Sequence, residues 1–385
     1  MEGLIEVTSP NGFANFSLVG ALDDGNFGDD WQLIIFCREM IARYPNCKIC
    51  IRGESSFAKS LEKKFDPRVR VIRRRFFFNQ TPQILVGGEV FFFQPGRESL
   101  MRTKLRKLDV RFFGTLLKLF SIMRYASANT NVFAKSTYAF GIGFGDLSAA
   151  PAYRKRRVGF ELRHIVFAVF RESVSRDNYQ AMRYPKSIQS KVASDLSFLD
   201  ISDRGVHPLT TTICLVIRRN AFASKEDLLV LISGFRRLTN ELCLDFKILL
   251  CESDSELEEF LRKHEIGNFS TYDGLNLEVF MNEMKLSTHI FSMRLHPILY
   301  GASRGKRVYS LGLDEKFSKS VGDKLINLNL SEFTSITSEE FSKILDTPLV
   351  YSASDVQSRH LSLSIEFDRF LRVLVNSEEI GQDKF

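Results

Sequence analysis

The sequence predicts an α/β chain: two Rossmann-like halves facing a cleft, with a C-terminal helix crossing back. Three observations carry that reading. Short apolar runs alternate with stretches of helical periodicity through both halves, which is the pattern of parallel sheets covered by helices. A polar segment with Gly205 and Pro208, residues 200–208, interrupts the alternation near the middle. The chain has 385 residues, more than one compact core usually holds. The expected division is 1–204, then 205–350, then a closing segment, 351–385, that packs back on the first half.

Residues 16–22 read as an apolar strand, followed by the tight polar loop Asp23-Asp24-Gly25-Asn26-Phe27-Gly28-Asp29-Asp30. Helical periodicity covers 31–42, with Leu33, Ile34, Cys37 and Ile41 on one face and Asp29 or Asp30 as N-cap. Strands follow at 48–52, 69–72 and 83–86, with a helix over 55–64, and Gly87-Gly88 ends the last strand. Residues 139–143 are a strand ending in a glycine turn, 166–171 a strand and 175–184 a helix. Residues 191–196, with Asp195, close the first half.

In the second half, strands are expected at 212–217, 246–251, 288–291 and 308–311, the last of the chain. Helices are expected at 225–242, 255–264 (capped by Ser253 or Asp254), 276–285 and 297–303. A long amphipathic helix over 355–375 is apolar at Leu361, Ile365, Phe367, Phe370 and Leu374. Two such halves facing a cleft are the GT-B architecture.

One stretch of the first half breaks the pattern. Residues 97–124 interleave Arg102, Lys104, Arg106, Lys107, Arg111 and Lys118 with Leu105, Leu108, Phe112, Phe113, Leu116 and Phe120. They read as one long helix or two broken at Gly114. Either it is a core helix with a solvated basic face or a surface helix resting on anionic lipid. The cluster Arg154-Lys155-Arg156-Arg157 fits both.

The formal net charge of +7 points to an anionic partner: a phosphorylated small molecule, nucleic acid or a membrane surface. No RNA- or DNA-binding motif accompanies the basic runs, so nucleic acid is not expected. No apolar run approaches the roughly 18 residues of a membrane span. Met1-Glu2-Gly3-Leu4 lacks signal-peptide features, so the expected location is cytoplasmic. The six cysteines, with one lone C-x-x-C at Cys47 and Cys50, give neither a disulfide framework nor a zinc pattern, and read as buried free thiols.

In open α/β sheets, ligands bind at the carboxyl ends of the strands. Asn26, Gly87, Gly141, Arg218, Arg294 and His296 stand there. In the run Ser292-Met293-Arg294-Leu295-His296, the cation and the proton carrier are two residues apart, which puts them on one face of an extended backbone. Such a pair suits a small anion that must receive a proton. A basic turn, Gly305-Lys306-Arg307, follows. His164, His207, His264, His289 and His360 lack such company and read as structural.

Taken together, these segments resemble the polysaccharide pyruvyl transferase family, in the family's order over most of the chain. Gly25-Asn26-Phe27-Gly28-Asp29-Asp30 resembles its N-x-G-D loop and helix start, and Val86-Gly87-Gly88 its strand followed by Gly-Gly. Gly141-Ile142-Gly143 resembles its G-x-G turn, Arg171-Glu172-Ser173 its Arg-acid segment, and Ser194-Asp195 its later small residue and Asp. Leu215-Val216-Ile217-Arg218 resembles its strand ending in Arg, and Asp314-Glu315-Lys316, then Gly322, its D-x-K segment. Met293-Arg294-Leu295-His296 matches its M-R-L-H, the most specific element.

The resemblance implies a GT-B-like fold and transfer of pyruvate from phosphoenolpyruvate to a sugar as a cyclic ketal. Acceptors in the family are often lipid-linked sugars at the cytoplasmic membrane face. The donor carries a carboxylate and a phosphate, so its site needs fixed cations, for which Arg is suited. His296 is the candidate general acid and Arg294 the donor clamp. Arg218 would hold the donor's other end and Lys316 complete the phosphate site, while Arg219 faces the opposite side if the strand continues. Asn26, Asp29, Gly87 and Gly88 are expected in the cleft. No step demands a metal or a cofactor.

Two other classes compete. A GT-B glycosyltransferase using a nucleotide sugar would share the architecture, with Asp314 or Glu315 gripping the ribose. A non-catalytic nucleic-acid or membrane-binding protein would use the basic runs.

Overall fold

In a computed structural model of the chain, the described residues are 15–19, 26–45, 47–52, 68–72, 82–91, 137–151, 155, 158, 162, 165–182, 188–201, 210–218, 225–312, 321–322, 324–333 and 335–382. The first sheet comprises β1 (Asn15–Val19), β2 (Lys48–Arg52), β3 (Val69–Ile72), β4 (Gln83–Val86), β5 (Glu89–Phe91), β6 (Thr137–Phe144), β7 (Ile165–Phe170) and β8 (Gln189–Val192). Helix α1 (Phe27–Arg43) follows β1, and α2 (Ser173–Gln180) follows β7. The strands run in the order β3-β2-β1-β4-β6-β7-β8, all parallel, with β5 beside β6.

The second sheet comprises β9 (Thr212–Ile217), β10 (Asp245–Leu250), β11 (Phe269–Thr271), β12 (His289–Ser292), β13 (Arg307–Leu311) and β14 (Ile326–Leu328). Between and after them come α3 (Lys225–Glu241), α4 (Ser255–Lys263), α5 (Leu277–Lys285), α6 (Leu295–Ser303), α7 (Leu330–Phe333), α8 (Ser338–Leu345) and α9 (Ala353–Gln382). The order is β11-β10-β9-β12-β13-β14, again all parallel. Every residue of β4, β6, β9 and β12 is buried, as expected of parallel strands covered on both faces. Both sheets reverse their winding direction between two central strands, β1 and β4 in one and β9 and β12 in the other. Such reversals open the crevices where ligands bind.

Several expectations change in detail. β6 is longer than read from sequence, and its glycines lie inside the strand rather than in a terminal turn. Gly141 takes φ +67°, and the pairing with β7 slips between Phe140 and Ile142, so this glycine makes a bulge. β13 is not the last strand, because β14 pairs beside it. In α9, Val356, Leu363, Phe367, Phe370 and Leu374 are buried, while Leu361 and Ile365 are exposed. Leu361 and Ile365 each precede a buried residue by two positions, about 200° around the helix, and so face away from the core. Cys243 is exposed rather than buried, and all six cysteines are free thiols. Among the described residues, no helix is long and apolar enough to cross a membrane. The helix expected at 55–64 and the basic stretch 97–124 lie outside the described residues.

One apolar cluster joins the two sheets, and α1 is its centre. Phe27 and Trp31 of α1 meet Tyr272, Phe280 and Tyr300 of the second half at ring separations of 4.9–5.9 Å. The same helix carries Phe36, which meets Phe367 of α9 at 5.4 Å. Arg43 at its end donates to Asp368 (2.6 Å) and to the Ser364 carbonyl (2.9 Å).

Asp200, expected to open a linker, is instead half-buried between the halves. It accepts from Trp31 Nε1 at 3.0 Å and pairs with Arg304 Nη2 at 2.8 Å. Arg304 is only 1% exposed at its side chain and lies 4.0 Å above the Tyr300 ring. Removing the carboxylate strands a buried cation, which costs several kcal/mol when a paired charge loses its partner. Asp200→Ala is therefore expected to destabilise the protein by about 3 kcal/mol, seen as a lower midpoint in denaturant unfolding.

Candidate active site

The two crevices meet at the start of α1. Asn26, not Asp29 or Asp30, caps this helix, because its side chain accepts from Gly28 N–H at 3.2 Å. The helix starts four residues earlier than its periodicity indicated. Phe27 N–H, otherwise an orphan of the first turn, donates to the Cys251 carbonyl just past β10 at 3.2 Å. Asn26 Nδ2 also donates to Asp29 at 3.0 Å, so both expected cleft residues shape the helix start. Asp30 is buried and accepts from Tyr272 O–H at 2.6 Å. Burial, then the Asp30 charge, drives the Tyr272 hydroxyl far above its usual range and keeps it a donor.

His296 comes from the other side. β12 ends at Ser292, and Ser292 Oγ accepts from Arg294 N–H at 2.9 Å while donating to the Arg294 carbonyl at 2.8 Å. Arg294 is thus the extended N-cap of α6, and His296 sits in its first turn. The strand alternation used to pair them does not extend that far. His296 is placed instead by the helix, and its ring rests directly on Gly28. A Cβ at Gly28 would overlap it.

Arg294 points toward β10, where its Nη2 pairs with Glu252 Oε2 at 2.5 Å. Arg218 follows β9, which lies between β10 and β12, so it stands at the reversal point beside both. It is half-buried. The Cys251 thiol is fully buried, and burial pushes it up to about 12 despite the opposing Arg294 charge, so it is no nucleophile. Arg219 and Lys316 lie outside the described residues, as do Asp314 and Glu315.

Gly87 and Gly88 form the floor on the first-half side. Both have positive φ, +59° and +65°, and a Cβ at Gly87 would overlap the Gln32 amide oxygen. Gly88 N–H donates to that oxygen at 2.7 Å, and Gln32 Nε2 donates to both carboxylate oxygens of Asp195 at 3.0 Å. Asp195 also caps a 3-10 turn through Ser197 N–H, 3.0 Å away, and stands 4.0 Å from Arg171 Nη1. The Arg171 guanidinium packs over Gly143, where a Cβ would lie 2.7 Å from Nη2. Gln32 is one turn beyond Gly28 on the same face of α1. The glycine turn and the His296 ring therefore line one helix face.

The basic turn does not join the site. Lys306 is buried, donates to the carbonyls of Lys285 (2.6 Å) and Ser287 (2.5 Å), and burial lowers its ammonium to about 8. His289 is buried against the Leu345 carbonyl, and His360 contacts the Phe198 carbonyl. Among the described residues, no group of three or more His, Cys, Asp or Glu is placed to hold a metal ion. Sequence reasoning missed Gln32, Glu252 and the role of Asp200. Glu252 was within reach, because it stands beyond a strand's carboxyl end, as Arg218 and Arg294 do.

A sequence model of the polysaccharide pyruvyl transferase family matches residues 26–315. No curated protein matches the chain. Among solved structures, the S. aureus MnaA co-structure with UDP is similar at a TM-score of 0.52, with 9% identity over 93% of this chain and 97% of that one. The UDP-GlcNAc 2-epimerase of Methanocaldococcus jannaschii has a TM-score of 0.50, with 10% identity over 94% and 99%. Arabidopsis thaliana UGT89C1 complexed with UDP-L-rhamnose has a TM-score of 0.50, with 10% identity over 94% and 98%. At these identities the likeness speaks for the fold alone, an α/β GT-B-like arrangement of two halves.

Gly28→Ala adds a methyl group where the His296 ring lies. Overpacking of this kind costs about 1–3 kcal/mol and forces the ring to move. The expected result is a lower melting temperature together with a displaced His296 imidazole resonance in NMR.

Proposed function

The chain belongs to the polysaccharide pyruvyl transferase family, and we propose that it moves the pyruvyl group of phosphoenolpyruvate onto a sugar of a cell-surface polysaccharide or its lipid-linked precursor, as a cyclic ketal. One observation carries the reading: the Arg294–His296 segment stands at the reversal point of the second sheet, with His296 against the start of α1. The second half is the donor side and the first half the acceptor side.

His296 gives its proton to the donor's methylene carbon, which becomes a methyl group. Positive charge develops on the neighbouring carbon, and a sugar hydroxyl adds there. The C–O bond to phosphate then breaks, and a second hydroxyl closes the ring. Of the two hydroxyl protons released, one restores His296 and the other leaves with phosphate. Arg294 and Arg218 hold the donor's anionic groups, and Lys316 completes the phosphate site, with Arg219 ranked below them. Fixed guanidinium groups suit carboxylate and phosphate because their planar forks pair with two oxygens at once. Asn26, Asp29, Gly87 and Gly88 shape the facing wall. The reaction as written needs no cofactor.

Phosphate release from phosphoenolpyruvate, measured with a panel of acceptor glycans, tests this reading. His296→Ala is expected to lower the rate by about 10²–10⁴ with the fold intact, the usual contribution of a general acid. Unchanged turnover in that variant would remove His296 from the chemistry, and preferential binding of nucleotide sugars would sink the pyruvyl reading. The acceptor's lipid anchor would lie at the cytoplasmic membrane face, where residues 97–124 dock on anionic headgroups. Sedimentation with anionic liposomes is expected to carry the protein down at low salt and to release it at high salt.

A further inference from the structure

We propose that Glu252 is a built-in competitor for the donor: it occupies the Arg294 guanidinium until a ligand anion displaces it, and thereby sets the donor affinity. The inference rests on the reading of Arg294 as the donor clamp.

Glu252 stands two residues beyond β10 and Arg294 two residues beyond β12. β9 lies between these strands, so the ion pair spans the end of β9 and lies across the crevice at the sheet's reversal point. A carboxylate there sits where a substrate carboxylate or phosphate would bind. Among the described residues, the guanidinium meets one carboxylate, with Nη2 and Oε2 2.5 Å apart, and the buried Arg294 Nε makes no hydrogen bond. A guanidinium can engage two oxygens of one anion, so this fork is only partly used.

The two partners are not held equally. Arg294 is 18% exposed at its side chain, and its backbone is fixed at the α6 start by Ser292. Glu252 is 36% exposed and can swing into solvent. The pair also explains why an acid is kept in a site for anions. An arginine mostly out of water is costly without a counter-charge, and Glu252 supplies one when no ligand is bound. The consequence is a reduced apparent affinity, because only molecules with the pair open can accept the donor.

Titration calorimetry with phosphoenolpyruvate and with inorganic phosphate, on wild type, Glu252→Gln and Glu252→Ala, tests this. Glu339→Gln serves as a charge control, since Glu339 is an exposed residue paired with Lys343 on the surface. Both Glu252 variants are expected to bind each anion about three- to tenfold more tightly than wild type, with the control unchanged. In steady state, the KM for phosphoenolpyruvate falls while kcat is retained. Equal or weaker anion binding by both Glu252 variants overturns the proposal, as does a protein series that binds neither anion. The comparison of the two ligands is separate. No preference for phosphoenolpyruvate over phosphate in any of the proteins rejects the pyruvyl reading, while the ratio between variants still reports on Glu252.

Discussion

The structure depends on the first turn of α1, which belongs to the first sheet by sequence and to both by contact. Its Phe27 N–H is completed by a carbonyl beyond β10 and its Asp30 by Tyr272. Its Gly28 receives the His296 ring, and its Trp31 shares Asp200 with Arg304. A helix start has orphan N–H groups that must find acceptors. Here those needs are met partly by the other half of the molecule. The residues that complete the helix also fix the distance between the two crevices, so the site's geometry and the fold's integrity rest on the same few atoms.

Much of the fold was legible because parallel strands covered on both faces are written as continuous apolar runs. Thr212-Ile213-Cys214-Leu215-Val216-Ile217 is such a run, and its bounds match β9. Legibility failed where a residue's environment is set by something distant in sequence. Trp31 looked like the first residue of a helix because the acceptor for Phe27 N–H lies far along the chain at Cys251. Asp200 looked like linker for the same reason. Leu361 and Ile365 are apolar residues that happen to lie off the buried stripe of α9.

The site was legible in its parts and not in its assembly. Arg294 and His296 stood out from residue type and spacing, yet the spacing argument assumed a strand where a helix begins. Gly87 and Gly88 were visible as a turn, but the reason for glycine is Gln32, whose amide fills the space a side chain would need. Gln32 is in turn held by Asp195, which stands near Arg171. Four separated sequence segments therefore act as one buried polar chain behind the first-half wall. No pattern within any one of them states that connection. Buried polar groups are costly unless bonded, and the links from Gly88 N–H through Gln32 to Asp195 satisfy one another, which holds the wall in one arrangement.

The long helix α9 has a consequence for how the protein is made. Phe370 lies within 5.0–6.3 Å of the rings of Phe140, Phe36, Tyr138 and Phe167, and Phe367 meets Phe140 at 4.9 Å. The first sheet thus waits for a cover synthesised after the entire second sheet. At ribosomal speeds, the interval between Phe140 and Phe370 lasts on the order of tens of seconds. During it, an apolar face of the half-made protein stays open to solvent, to chaperones and to other nascent chains. The second half has its own core, from Ile213 to Leu345, and needs no part of α9, so the first half is the one finished last.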